Sequence, residues 1–403
     1  MRRRHQGGEG PHVVLVVENV SLAHDHRLRK QAASLAAAGY DVTVICRRDP
    51  GNRRLPGVRV LDYPAPRDAD GRLAFVWEYA YSWVMAAVLM WRAWLLQPFA
   101  LIQISGMPDV YAPLAVPFRW MGAVIVLDQR DLAPEVYLAR FGGRGGLVHR
   151  LLLRCERVSF RTADHVVTVN ESCRAVVHER GGIPQERITV VGNGPHLSRV
   201  RPPAPDRPRE LGPTAGVCCW VGVMGPQDSV DLAVRAVARL VHERGRTALT
   251  AVLVGDGDQR TALERLADEL GVAANVRFTG WLDEEDVFAH LAAADVGLEP
   301  NLEEVVSPVK VMEYMACGLP FVAFDLPQTR ALGGSGGLYA ELGDVPAFAD
   351  ALQRLLDDPG LRAAAGGSGR RRVLDTVAWE HQEAVYLELF AHLLPARELE
   401  RSL

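Results

Sequence analysis

His12-Val13-Val14-Leu15-Val16-Val17, the helical stretch Arg27 to Ala38, and Asp41-Val42-Thr43-Val44-Ile45 carry the reading of the fold. An apolar β-branched run, a helix and a second such run form a βαβ unit, the connection used between parallel strands. The strand residues are apolar almost without alternation, so the sheet they predict is covered on both faces.

Outward from this unit the alternation continues. Strands are expected at 58–61, 100–104, 123–127, 165–169 and 188–191, and helices at 73–97, 148–161 and 171–180. Prolines 195, 202, 203, 205, 208 and 213 then stop it, because each fixes φ and removes a backbone donor. Beyond them strands at 217–221, 249–254, 276–279, 296–298 and 321–324 alternate with helices at 229–243, 259–269, 284–292 and 308–316. Gly366-Gly367 reads as a break, with helices at about 345–357 and 379–394. The chain thus predicts an α/β protein of two tandem doubly wound, Rossmann-like domains facing a cleft. The expected division is a disordered tail 1–11, a first domain 12–195, a Pro-rich linker 196–213, a second domain 214–375, and a terminal helix 376–403 returning to the first domain.

Composition bounds what such a chain does. Its 403 residues are 48% hydrophobic and 23% charged, which excludes disorder and collagen. A formal charge of −4 gives no chain-wide attraction to nucleic acid. The six cysteines have no metal-ligand spacing, so they read as reduced thiols of a cytoplasmic protein without a metal site. No apolar stretch precedes Val13, so no signal peptide is expected. The aromatic run from Leu73 to Ile102 is interrupted by Glu78, Arg92 and Pro98, so it reads as a packed or surface-lying helix with at most peripheral membrane contact.

Chemistry concentrates at Ser307-Pro308-Val309-Lys310-Val311-Met312-Glu313-Tyr314-Met315-Ala316. A polar residue and a proline at a helix start leave backbone N–H groups open to an anion, and Lys310 and Glu313 share a helix face. A capped helix with a surface ion pair reads equally well from spacing alone. Composition separates the two readings. Lys30 and Lys310 are the two lysines of a chain whose basic residues are otherwise arginine. A lysine retained against that bias marks a place where a compact ammonium is not replaceable by a guanidinium.

This run, with Val221-Gly222-Val223-Met224-Gly225, Val254-Gly255-Asp256-Gly257 and Val276-Arg277-Phe278-Thr279-Gly280, resembles the retaining GT-B glycosyltransferases of family 4, the actinobacterial-type group 1 enzymes. Asp25-His26-Arg27-Leu28-Arg29 and Asp128-Gln129-Arg130-Asp131-Leu132-Ala133-Pro134-Glu135 extend the likeness into the first domain. The resemblance implies a nucleotide-diphosphate sugar as donor substrate, with no cofactor, held by the second domain, and an acceptor held by the first. It implies that Glu313 meets the ribose, and that Lys310 and the backbone at Ser307, Pro308 and Val309 meet the diphosphate. Gly222, Gly225 and Gly255 would line the donor site and Gly280, Trp281 and Leu282 would meet the base. His24, His26, Arg27 and Asp131 would face the acceptor, although lone histidines after a strand also read as loop residues, and Trp281 also reads as a buried turn residue.

Three departures from the pattern stand out. The first glutamate of E-x7-E falls on Val305, with Glu303 and Glu304 beside it, so Glu304 is a candidate catalytic carboxylate. The expected basic pair falls near Val223 and Asp228. The usual first-domain histidine is Arg130, which cannot act as a general base. Arg130 reads either as a clamp for a phosphate or an acceptor carboxylate, or as an ion-pair partner of Asp131 or Glu135. As a clamp it would favour a thiol or thione acceptor, as in natural-product S-glycosides. The expectation is a retaining, metal-independent glycosyltransferase. A 2-epimerase on the same fold and a non-catalytic sugar-nucleotide or glycan-binding protein are the alternatives.

Overall fold

The computed structural model describes residues 10–18, 20–65, 72–106, 109–141, 146–199, 216–303 and 308–394. The expected linker lies largely outside these residues, as do most of the expected tail, Glu304 and Ser307. The described chain divides into two compact units, one holding residues 1–138, 143–192 and 382–403, the other 139–142 and 193–381.

The first unit is built from β1 (His12–Val17), α1 (His26–Ala37), β2 (Asp41–Arg47), β3 (Val58–Tyr63), α2 (Arg72–Leu96) and β4 (Leu101–Ser105). It continues with α3 (Val116–Trp120), β5 (Val124–Gln129), α4 (Ala133–Phe141), α5 (Leu147–Thr162), β6 (His165–Thr168), α6 (Glu171–Gly181) and β7 (Ile188–Val190). Its sheet runs β3-β2-β1-β4-β5-β6-β7, every pairing parallel. Alternate strand residues take opposite faces. Val14, Val16, Ile102, Ile104, Ile125 and Leu127 pack under α2, α3 and α5, while Val13 and Leu15 are buried on the other side. Asp25 starts α1, its Oδ1 accepting from the Leu28 N–H at 2.8 Å.

The second unit holds β8 (Val217–Val223), α7 (Val230–Arg244), β9 (Thr250–Asp256), α8 (Arg260–Glu269), β10 (Val276–Gly280), α9 (Glu284–Ala293) and β11 (Val296–Glu299). After these come α10 (Val309–Ala316), β12 (Phe321–Phe324), α11 (Pro327–Gly333), β13 (Gly337–Ala340), α12 (Val345–Asp357) and α13 (Pro359–Arg372); the last helix, α14 (Trp379–Leu393), belongs from Gln382 onward to the first unit. The sheet order is β10-β9-β8-β11-β12-β13, again all parallel. One face packs Trp220, Leu253 and Leu298 against α7 and α12; the other packs Cys219, Val252 and Val254 against α9 and α10.

One expectation is corrected here. Gly366-Gly367 is no break but lies inside α13, because Gly366 lets that helix approach the Gly318 carbonyl so closely that a Cβ would sit 2.1 Å from its oxygen. The Gly333–Gly337 run closes α11 and opens β13, which pairs with β12. The six cysteines are free, and five of them are buried. No described helix is long and apolar enough to cross a membrane.

Candidate functional site

In the second unit, β8 and β9 end side by side, with Gly222 opposite Gly255 one residue before the last of each strand. A Cβ on Gly222 would fall 2.7 Å from Cε of Lys310, so the absent side chain is the space through which the lysine reaches the strand ends. Lys310 is in the first turn of α10, which Tyr314 fixes to the sheet by donating its buried hydroxyl to the Leu298 carbonyl at 2.9 Å. Pro308 caps that helix and Val309 is its first residue. Glu313, one turn after Lys310, is half-buried.

The ammonium of Lys310 donates to Asp228 Oδ1 at 2.7 Å and stands 5.4 Å from the ring of Trp220. Both members of the ion pair are largely enclosed, with side chains 17% and 14% exposed. Glu299, at the end of β11, is buried beside them and its Oε2 has no hydrogen-bond partner. Burial opposes the charge on Lys310, but Glu299 and Asp228 outweigh it and hold the amine above its ordinary value. Burial, with Asp228 adding to it, pushes the Glu299 carboxyl up despite the ammonium. The result is an ammonium favoured by the two acidic side chains beside it, at strand ends where a parallel sheet receives its ligands. Gly225 lies in the turn after β8. Gly280 ends β10 with φ +76°, and Leu282 packs on the core. Trp281 is 66% exposed, which overturns its reading as a buried turn residue and leaves an open indole face.

Sequence reasoning marked Asp228 as a missing cation and overlooked Glu299 and Trp220. A signal for Glu299 was present: a carboxylate closing an otherwise apolar buried strand must have a partner.

The first unit carries its own charged network. Asp128, buried at the end of β5, accepts from Arg27 Nη2 at 2.9 Å, from Arg130 Nε at 2.8 Å and from Gln31 at 3.2 Å. Burial raises its carboxyl, and Arg27 and Arg130 more than reverse this, leaving it well below the usual carboxylate range. Arg27 also donates to the carbonyls of Val191 and Gly192, and its side chain is 4% exposed. Its expected acceptor role is therefore corrected: the guanidinium is spent on holding β5, α1 and the segment after β7 together. Arg130 pairs with Asp25 and Asp128 and not with Asp131 or Glu135, the latter being held by Arg180. A guanidinium shared between two carboxylates is no open clamp for an acceptor carboxylate, so the motive for a thiol acceptor falls away. His24 and His26 are exposed after β1, with His24 hydrogen-bonded to Ser21 at 2.8 Å, and Asp131 is exposed after β5.

Two doubly wound parallel sheets in tandem, the second with a lysine over glycines near its strand ends, are the architecture of the GT-B glycosyltransferases. The chain belongs to the group 1 glycosyltransferases: residues 215–358 match the model of that family and residues 24–194 match the glycosyl transferase 4-like domain. It is 28% identical over 354 residues to the 2-deoxystreptamine glucosyltransferase of Streptomyces kanamyceticus, covering 84% of this chain and 89% of that one. Among solved structures it resembles sucrose-phosphate synthase from Thermosynechococcus elongatus, with TM-score 0.80, 20% identity, and coverage of 95% and 99% of the two chains. It also resembles Anabaena HepE in complex with UDP-glucose, with TM-score 0.72, 15% identity, and coverage of 94% and 99%. These two likenesses are of fold.

Proposed function

We propose that this glycosyltransferase moves a glycosyl group from a nucleoside-diphosphate sugar to a hydroxyl of a small-molecule or glycan acceptor, with retention of anomeric configuration. The observation that carries the reading is the enclosed Lys310 ammonium above the paired glycines near the ends of β8 and β9. On donor binding the diphosphate exchanges with the Asp228 carboxylate at that ammonium, the first N–H groups of α10 add their partial positive charge, and Glu313 accepts from the ribose. No side-chain base is needed when the leaving phosphate itself receives the acceptor proton, so the protein supplies orientation and charge stabilisation. UDP-glucose bound to Anabaena HepE, and the 2-deoxystreptamine in the name of the Streptomyces kanamyceticus glucosyltransferase, support this choice of donor and acceptor class.

Thermal shift with UDP, GDP and dTDP tests the donor site. One of them should raise the melting temperature of the wild type, since a ligand of the folded state stabilises by about 2.7 kcal/mol at a hundredfold excess over Kd. Lys310→Ala and Glu313→Ala should remain folded and lose that shift, and lose acceptor-dependent release of nucleoside diphosphate with it. Unchanged turnover in both variants would remove these residues from the site.

A further inference from the structure

The helix layer on one side of the first unit is apolar on its outer surface as well as its inner one. The inward residues of α2, Ala86, Leu89, Met90 and Ala93, belong to the core. Its outward residues Trp77, Val84, Val88, Trp91 and Leu95 are 64%, 52%, 53%, 43% and 80% exposed. Their separations of three, four and seven put them in one stripe along the helix. The layer is continuous: Trp91 packs on Phe118 of α3 at 4.9 Å, and Arg119 of α3 donates to the Thr162 carbonyl at the end of α5 at 3.3 Å. Trp120, the last residue of α3, is 82% exposed.

Among the described residues of α2, α3 and α5 the fully exposed charges are basic, with Arg119 of α3 paired to the partly exposed Asp164 and the exposed acids Glu171 and Glu179 lying on the neighbouring α6. The outward side of α5 interleaves exposed Leu147 and Leu151 with exposed Arg150, Arg154 and Arg157. The acid of that helix, Glu156, is turned inward and buried on Arg180 at 2.6 Å. On the described outer side of α2 the exposed charge is Arg92, and Glu78 is paired with Arg47. Exposed indoles, leucines and arginines, with no fully exposed carboxylate among the described residues of α2, α3 and α5, match a surface whose headgroups are anionic and whose next layer is hydrocarbon.

We propose that this face docks the enzyme on an anionic lipid bilayer, with the α2 stripe and Trp120 entering the headgroup boundary and the arginines of α5 pairing with lipid phosphates. A second copy is the poorer occupant, because a two-fold contact would set one arginine row against the other. The inference rests on the first unit alone and does not depend on the reading of the donor site.

Co-sedimentation of the full chain with vesicles of phosphatidylcholine, with and without phosphatidylglycerol, tests it. The protein should pellet with the anionic vesicles, bind the neutral ones far less, and release as salt is raised. The triple variant Arg150→Gln/Arg154→Gln/Arg157→Gln should bind on the order of 100-fold more weakly, at roughly a fivefold loss per arginine. Trp77→Ser/Leu95→Ser, whose side chains support no core contact, should keep the circular-dichroism melt of the wild type and lose vesicle binding. Equal binding to both vesicle types, or an unaffected arginine variant, would overturn the proposal. So would a concentration-dependent dimer abolished by Trp77→Ser/Leu95→Ser, which would give the face to a second copy.

Discussion

Individual residues of this chain are committed in ways their type alone does not reveal. Arg27 and Arg130 both serve the buried Asp128, so removing one leaves an uncompensated charge where water does not reach. Arg27→Ala is expected to cost about 3–5 kcal/mol in denaturant unfolding. Glu18, just after β1, is pushed up to about 9 by burial and then by the Asp109 carboxylate, and its Oε1 is unpartnered. The folded state therefore holds a proton there that the unfolded chain has released above about pH 4. Its contribution is fully present at acid pH and is lost as pH rises toward 9. Glu18→Gln should gain on the wild type by about 1.4 kcal/mol per pH unit between pH 6 and 8, read as a widening gap in urea midpoints. At the donor site, Lys310→Arg should keep the fold and weaken nucleoside-diphosphate binding by roughly tenfold or more, because a planar fork does not fit the space beside Gly222 that an ammonium occupies. Isothermal titration decides it, and wild-type affinity would refute the lysine-specific reading.

Whole elements show where the sequence was transparent. The apolar runs at β1, β2, β4 and β5 and the helices between them were legible because a strand buried on both faces cannot be anything but continuous in apolar residues. Helix α13 was not legible. Its glycines lower helix propensity, and what overrides this is packing against a segment some fifty residues away in the chain. The two glycines should therefore respond in opposite ways. Gly366→Ala places a Cβ 2.1 Å from the Gly318 oxygen and should destabilise by about 2 kcal/mol or more. Gly367→Ala has no neighbour nearer than Arg371 Nη1 at 3.8 Å and should stabilise by about 0.5–1 kcal/mol. Matched thermal melts of the two variants separate packing from propensity.

Across the whole molecule, the last helix ties the end of the chain into the first unit. Tyr386 of α14 donates its buried hydroxyl to Gln103 of β4 at 2.7 Å, and Gln382 accepts from the Gly192 N–H at 2.8 Å. Truncation after His381 should expose β4 to hydrogen exchange and destabilise the first unit, whereas Tyr386→Phe should cost about 1 kcal/mol. The sequence by itself determined the α/β class, the two doubly wound sheets and the lysine at the head of α10, because burial of continuous strands and the chemistry of a retained ammonium are local properties of the chain. Tertiary structure decided which charges meet. Asp228 closes on Lys310 across eighty-two positions, and Arg27 is withdrawn to Asp128 across a hundred and one. Such pairings depend on which strand ends come to lie side by side, and that order is set by how the sheet is wound, not by any neighbouring residue.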